Sequence, residues 1–374
     1  MDLLDVARIV AGLVLLVGGG ELLVRGASSL ARRAGISALV VGLTVVSAAT
    51  SAPELAVSVG AVFSEESGLA VGNVVGSNIA NVLLILGLSA LVVPLLVTRQ
   101  VVRFDIPVMV GLSVLLLVMA LDGGISTLDG VVLLAAVVAY TVLTIVVGRR
   151  RTAAPIPVTG GAGDVATDDA GDDDPPAPVL RSVAFLVVGV GLLVLGATWL
   201  VDGAVSIATG FGVSSLVVGL TVVAIGTSLP ELATSIIAVR RGERDMAVGN
   251  IVGSNIFNIG LVLGLPAILA GDGIPVPDAA VALDIPLMLA ASVALLPVAF
   301  TGFAIARWEG GVFLLLYVAY TAFVVLAATE HDALDGFTTA MAWFVLPLLA
   351  LTLVVFTAYE VGLRRGRAQM HGQV

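Results

Sequence analysis

Cysteine and lysine are absent from the 374 residues, histidine occurs twice, and only 12% of positions are charged. Without cysteine there are no disulfides, thiolate metal sites or iron–sulfur clusters. His331 falls in a short connection and His371 in the C-terminal tail. A histidine metal site or an imidazole proton relay at membrane depth is therefore excluded. The charge deficit excludes a soluble enzyme and a disordered chain, because ordinary soluble domains carry about twice that share. All 17 basic residues are arginine, and none forms a nucleic-acid patch away from the apolar runs they flank.

What fills the chain is apolar. Hydrophobic residues make up 59% and the mean hydropathy is +1.15. Eleven segments reach the roughly 20 residues that cross a bilayer, near 6–25, 36–62, 69–94, 104–121, 128–148, 182–204, 213–239, 246–270, 280–300, 308–329 and 338–362. The expected class is an all-α polytopic membrane protein. Arginine placement orients it. With the N-terminus outside, 16 of the 17 arginines fall on inside connections and only Arg8 lies near an outside end. Outside loops then carry acids such as Asp122 and Asp272, and the C-terminus lies inside. Residues 149–180 begin with three arginines and continue through Gly, Pro, Thr and six aspartates. That composition cannot bury a core, so it is expected to be a disordered acidic cytoplasmic linker.

The two sides of this linker repeat at an offset of 177. ISALVVGLTVVSAATSAPELAVS (36–58) and VSSLVVGLTVVAIGTSLPELATS (213–235) share 16 of 23 positions. VGNVVGSNIANVLLILGL (71–88) and VGNIVGSNIFNIGLVLGL (248–265) share 13 of 18. Weaker echoes follow, Asp105-Ile106-Pro107 with Asp284-Ile285-Pro286 and Tyr140-Thr141 with Tyr320-Thr321. Each copy holds five spans. Five is odd, so the second copy enters the membrane from the opposite side, and the two form an inverted repeat around a midplane site. The expected division is 1–148 for the first five-helix repeat, 149–180 for the linker, 181–329 for the second repeat, and 330–374 for an extra transmembrane helix with a basic tail.

Glu54 and Glu231 occupy equivalent places inside spans two and seven. A carboxylate at that depth costs at least about 2.5–3.5 kcal/mol and no basic residue lies there to pair with it, so a cation or a proton is its partner. Pro53 and Pro230 precede them, and proline frees a backbone carbonyl one turn earlier. Thr50 and Thr227 lie four residues before each Glu, on the same helical face, and read as coordinating. Ser77 and Asn81 share a face in the second motif, as do Ser254 and Asn258. Asn73, Asn78, Asn250 and Asn255 read as helix-to-helix hydrogen-bonding groups. Gly72 and Gly76, like Gly249 and Gly253, have the spacing of close helix crossings. Asp105 and Asp284 read as helix-capping acids. The donors are all hard oxygens, which suit Ca2+ or Na+.

These paired motifs resemble the two α-repeats of the cation/calcium exchanger superfamily, most of all its prokaryotic sodium/calcium exchanger family. The signature stands here as Gly226-Thr227-Ser228-Leu229-Pro230-Glu231. The resemblance implies a ten-helix inverted-repeat core to which the eleventh span is an addition. It implies ligands at Thr50, Ser51, Glu54, Ser77 and Asn81, and at Thr227, Ser228, Glu231, Ser254 and Asn258, with backbone carbonyls from Ser47 and Ala224. The family often has Asp where this chain has Asn258, and Gly where it has Ala49. The function implied is secondary active Na+/Ca2+ antiport exporting Ca2+ by alternating access, with spans one and six sliding across the rest. H+/Ca2+ antiport and a passive cation channel are the alternatives. An enzyme is not expected, nor a resident cofactor or an obligate protein partner. The partners are Ca2+, Na+ (or H+) and the lipid bilayer of a prokaryotic plasma membrane.

Overall fold

The computed structural model describes residues 3–64, 68–152 and 178–371. Helices dominate, as the long apolar runs require: with no water to satisfy backbone polar groups, a spanning segment must satisfy them internally. The spans are α1 (Leu3–Ala34), α2a (Ala38–Thr50) with α2b (Ala52–Phe63), α3 (Gly68–Val92), α4 (Val101–Ala120), α5 (Thr127–Arg149), α6 (Val179–Gly210), α8 (Arg244–Leu269), α9 (Ala280–Phe300), α10 (Arg307–Ala328) and α11 (Leu334–Leu363). Between α6 and α8, residues 215–226 (α7a) and Leu229–Arg240 (α7b) repeat the broken form of α2a and α2b. The chain is thus a multi-pass, all-α membrane protein with two inverted five-helix repeats and one added helix. The expected linker 149–180 lies almost wholly outside the described residues.

The inversion is visible in α1 and α6. Gly12 abuts the backbone of Gly196, Gly19 that of Gly189, Gly26 that of Ser182, and Gly203 that of Asp5. The sequence of partners runs backwards, so the two equivalent helices are antiparallel along their whole length. A pseudo-two-fold axis exchanges them.

The second sequence motif occupies α3 and α8, the two most buried spans, with 83% of each apolar window inside the protein. The first motif is α2a–α2b and α7a–α7b. α2a and α2b are bent by 41°, and the break falls on Ser51 with ψ 2°. Ser228 breaks the second copy with ψ 7°. Proline at the second position of each following half-helix (Pro53, Pro230) explains the placement, since it ends the preceding helix and is well suited to starting the next. Two-residue β-bridges tie the connections on each face. Leu95–Leu96 (β1) pairs with Ala304–Ile305 (β4), and Gly124–Ile125 (β2) pairs with Ile274–Pro275 (β3).

Two expectations need correction. Asp105 and Asp284 do not cap helices. The helix already runs from Val101 or Ala280 through a π-helical turn to the aspartate. There Tyr140 Oη donates to Asp105 Oδ1 (3.0 Å) and Tyr320 Oη to Asp284 Oδ1 (3.5 Å). Gly249 and Gly253 do sit at a close crossing, against Leu39 and Leu43 of α2a, but a Cβ on Gly72 or Gly76 meets nothing within 4 Å among the described residues.

Candidate cation site

The breaks place Glu54 and Glu231 in the first turn of α2b and α7b, where the helix dipole favours negative charge. Both are only 1% exposed. The two side chains lie close enough to interact electrostatically with each other. All four carboxylate oxygens are buried without a hydrogen-bond partner. Among the described residues the ion pairs are Arg8–Asp5, Arg25–Glu21 and Arg241–Glu21, so no arginine neutralises either glutamate.

Of the expected donors, Thr50 stands directly against the pair, and it carries Ser254 with it. Thr50 Oγ1 donates to Asn250 Oδ1 (3.2 Å) and lies 3.4 Å from Ser254 Oγ. That contact joins the first repeat to the second. Thr50 also stands against Glu231. Ser51 and Ser228 are buried at the two breaks with unpartnered hydroxyls. Asn81 and Asn258 are buried with unpartnered Oδ1 atoms. Ser77 and Ser254 are buried one turn before them. Thr227 is half-buried and hydrogen-bonded or otherwise engaged, so it is less enclosed than its counterpart Thr50. Ser47 Oγ donates to Gly42 O (2.7 Å) and Asn250 O (3.0 Å). Its own carbonyl accepts from Ser51 N (3.0 Å). Ala224 is the first residue of the last helical turn before the second break.

The helix-to-helix asparagines also behave as their positions suggest. Asn73 Nδ2 donates to Ser58 Oγ (3.0 Å) and Glu54 O (3.1 Å), and Asn250 Nδ2 donates to Ser235 Oγ (3.2 Å). Asn78 Nδ2 donates to Asn255 O (3.3 Å), Asn81 Nδ2 to Asn255 Oδ1 (2.9 Å) and Asn258 Nδ2 to Asn78 Oδ1 (3.0 Å). Sequence reasoning missed Met109 and Met288, whose Sδ atoms accept from Asn255 (3.4 Å) and Asn78 (3.5 Å). A signal existed: the Asp-Ile-Pro echo continues two residues further, DIPVM at 105–109 against DIPLM at 284–288. π-helical turns at Ala80–Ile85 and Asn258–Leu263 begin beside Asn81 and at Asn258, and such turns are frequent at functional sites.

Chemically, the site holds two buried carboxylates, with buried neutral oxygen donors on the same breaks and on α3 and α8. Among the described residues no three His, Cys, Asp or Glu side chains gather. Soft or tightly held transition metals are poorly served by such a set, and hard cations are well served.

Fold and repeat together define an inverted-repeat membrane transporter. The sequence profile described as "Sodium/calcium exchanger protein" matches residues 4–146 and 181–326, once per repeat, and the chain belongs to that family. The family is one of transporters rather than catalytic enzymes, and cation/Ca2+ exchange is the activity that membership supports. The chain is 41% identical to the inner membrane protein YrbG of Escherichia coli, over 71% of this chain and 80% of that one. It is 39% identical to the putative antiporter CaxA of Alkalimonas amylolytica, over 83% and 96%. It is 33% identical to the sodium/calcium exchanger MaX1 of Methanosarcina acetivorans, again over 83% and 96%. Its fold matches the solved structure of the sodium-calcium exchanger NCX_Mj soaked with Na+ and Sr2+. That match has a TM-score of 0.71 and 33% identity, covering 86% of this chain and 99% of that one.

Proposed function

We propose that the chain is a secondary active Na+/Ca2+ antiporter that exports Ca2+ by alternating access at the Glu54–Glu231 site. The observation that carries this is the pair of buried glutamates with four unpartnered oxygens and no basic neighbour. Such a pair is stable only when charge is supplied, and Ca2+ or monovalent cations in turn supply it. The neutral donors Thr50, Ser51, Ser77, Asn81, Thr227, Ser228, Ser254 and Asn258, with the Ser47 and Ala224 carbonyls, bring the oxygens toward the 6–8 that Ca2+ takes. Both ions are substrates, and no resident cofactor is assigned. Arginine bias supports a prokaryotic plasma-membrane location with the N-terminus outside and the C-terminus inside.

The second reading is H+/Ca2+ antiport. Its specific support is Asn258, which leaves two carboxylates able to carry two protons against one Ca2+. The test is Ca2+ uptake into proteoliposomes preloaded with Na+, beside matched vesicles holding only a pH gradient, with Glu54→Gln and Glu231→Gln. Uptake driven by Na+ and lost in both variants is the expected result. Uptake following only the pH gradient would favour the proton reading. Uptake indifferent to both gradients would remove the protein from the antiporters.

A further inference from the structure

Resting on the cation-site reading above, we infer that Asn78 and Asn255, held by Met288 and Met109, are positioning residues that aim the side-chain carbonyls of Asn258 and Asn81 at the cation and require residue 258 to act as a hydrogen-bond donor.

The argument follows donors and acceptors outward to inward. A backbone carbonyl and a thioether sulfur can only accept. Asn78 faces two such groups, Asn255 O at 3.3 Å and Met288 Sδ at 3.5 Å, so its Nδ2 is turned toward them. Its Oδ1 is therefore turned the other way, toward Asn258 (3.0 Å). Asn258 must then present Nδ2 to Asn78, and its own Oδ1 is left pointing elsewhere. The mirrored chain runs through the other repeat. Met109 Sδ accepts from Asn255 Nδ2 at 3.4 Å, and Asn255 Oδ1 accepts from Asn81 Nδ2 at 2.9 Å. The orientation of all four amides is thus dictated by acceptor-only ends. The two atoms left over, Asn81 Oδ1 and Asn258 Oδ1, are buried and unpartnered, as are the oxygens of Glu54 and Glu231. All four side chains in the relay are at most 1% exposed.

A consequence for residue 258 follows. An ionised aspartate there would set two acceptors against each other at the Asn78 contact. Only a protonated acid or an amide donates. Asparagine makes that donor permanent.

Ca2+ uptake by the full chain in Na+-loaded proteoliposomes tests this, read as the apparent KM for Ca2+. Loss of an outer partner of a metal ligand typically costs 10–100-fold in affinity. Asn78→Leu is expected to raise KM by roughly that factor, and to add nothing in an Asn258→Ala background. Coupled residues give such non-additivity and independent ones do not. Full additivity in the double variant would overturn the relay. Met109→Leu conserves volume and gives the same test without an amide lost. Its KM rise should vanish in an Asn81→Ala background, and an unchanged KM would overturn the anchor. A third reading uses pH. Wild-type uptake should weaken toward acid as protons compete for the glutamates. Uptake by Asn258→Asp should also weaken toward alkali, as the new acid loses the proton it donates. A profile parallel to the wild type would contradict the donor requirement. If wild-type uptake itself did not depend on Glu54, the cation-site reading would fail first, a result distinct from an active wild type with additive variants.

Discussion

At the scale of single residues, the glutamate pair makes the protein less stable without ions than it need be. Two buried carboxylates without a hydrogen-bond partner are costly to keep charged. Replacing either with Gln removes a charge at nearly constant shape. Glu54→Gln and Glu231→Gln are therefore expected to melt above the wild type when Ca2+ and Na+ are both withheld. Added Ca2+ should raise the wild-type melting point, by an amount equivalent to about 2.7 kcal/mol at one hundred times Kd, and should leave the variants nearly unmoved. Thermal unfolding of purified protein with and without Ca2+ decides this, and a full Ca2+ response in both variants would contradict the site. On the proposed site the sign with pH follows from competition: protons and Ca2+ would share the same four oxygens, so the Ca2+-dependent rise is expected to shrink as pH falls. These residues were legible in the sequence because membrane burial makes a carboxylate conspicuous and the duplication marks it twice. The methionines were not. Met at a helical position reads as core, and its sulfur counts as an acceptor only once the amide facing it is known.

At the scale of elements, α1 and α6 form a glycine seam. Gly12, Gly19 and Gly26 recur every seven residues, as do Gly189, Gly196 and Gly203, and the two sets interlock. A Cβ on Gly19 would stand 2.8 Å from Gly189 O, and one on Gly196 would stand 2.8 Å from Gly12 O. Backbone cannot yield there as a flexible side chain would. Lipid tails offer little hydrophobic drive for helix association, so close backbone contact is what holds this pair. Gly19→Val is expected to destabilise the protein by roughly 1–3 kcal/mol. Gly18→Val, whose Cβ meets nothing within 4 Å, should be neutral in the same thermal or denaturant assay. Equal effects at the two positions would argue against the seam. The seven-residue spacing was on view in the sequence, yet pairing was not, because two helices 177 residues apart announce nothing about which faces meet. The GxxxG spacing misled in the opposite direction at Gly72 and Gly76. The same pattern packs in α8 and stands open in α3, since spacing describes one helix and packing needs the partner's position.

At the scale of the whole molecule, that difference is systematic. A perfect two-fold would make the repeats equal, and they are not. Gly42 and Gly249 press α2a against α8, whereas their counterparts Gly219 and Gly72 have nothing within 4 Å among the described residues. Gly20 of α1 packs on Ala233 and Ile237 of α7b, whereas Gly60 of α2b, the counterpart of Ile237, has nothing within 4 Å among the described residues. Ala56, the counterpart of Ala233, is exposed. All the loosened positions lie toward the face that holds the N-terminus of α1 and the C-terminus of α6. The tight partners of these pairs lie toward the opposite face. The tight face also has a fastening of its own: Arg241, just beyond α7b, grips Glu21 of α1 through Nε (2.9 Å to Oε2) and a second short contact, while Arg25 pairs with the same carboxylate at 2.8 Å. The positions equivalent to Glu21 and Arg241 are Thr198 and Ser64, which cannot form an ion pair. Two inverted halves of equal sequence would favour the two access states equally, so an ion pair that bridges two helices on one face, with no such bridge on the other among the described residues, biases the balance toward closure there. A chain without cysteine allows this to be read directly. In sealed vesicles, Ala56→Cys is expected to react with a membrane-impermeant maleimide applied from the N-terminal side of α1, and Ala233→Cys to resist it from the opposite side. Adding Arg241→Gln to Ala233→Cys should speed that labelling several-fold, because closure of the α1–α7b face then rests on apolar contact alone. Labelling of Ala233→Cys at the same rate with and without Arg241 would mean that packing at Gly20, and not the ion pair, holds the face shut.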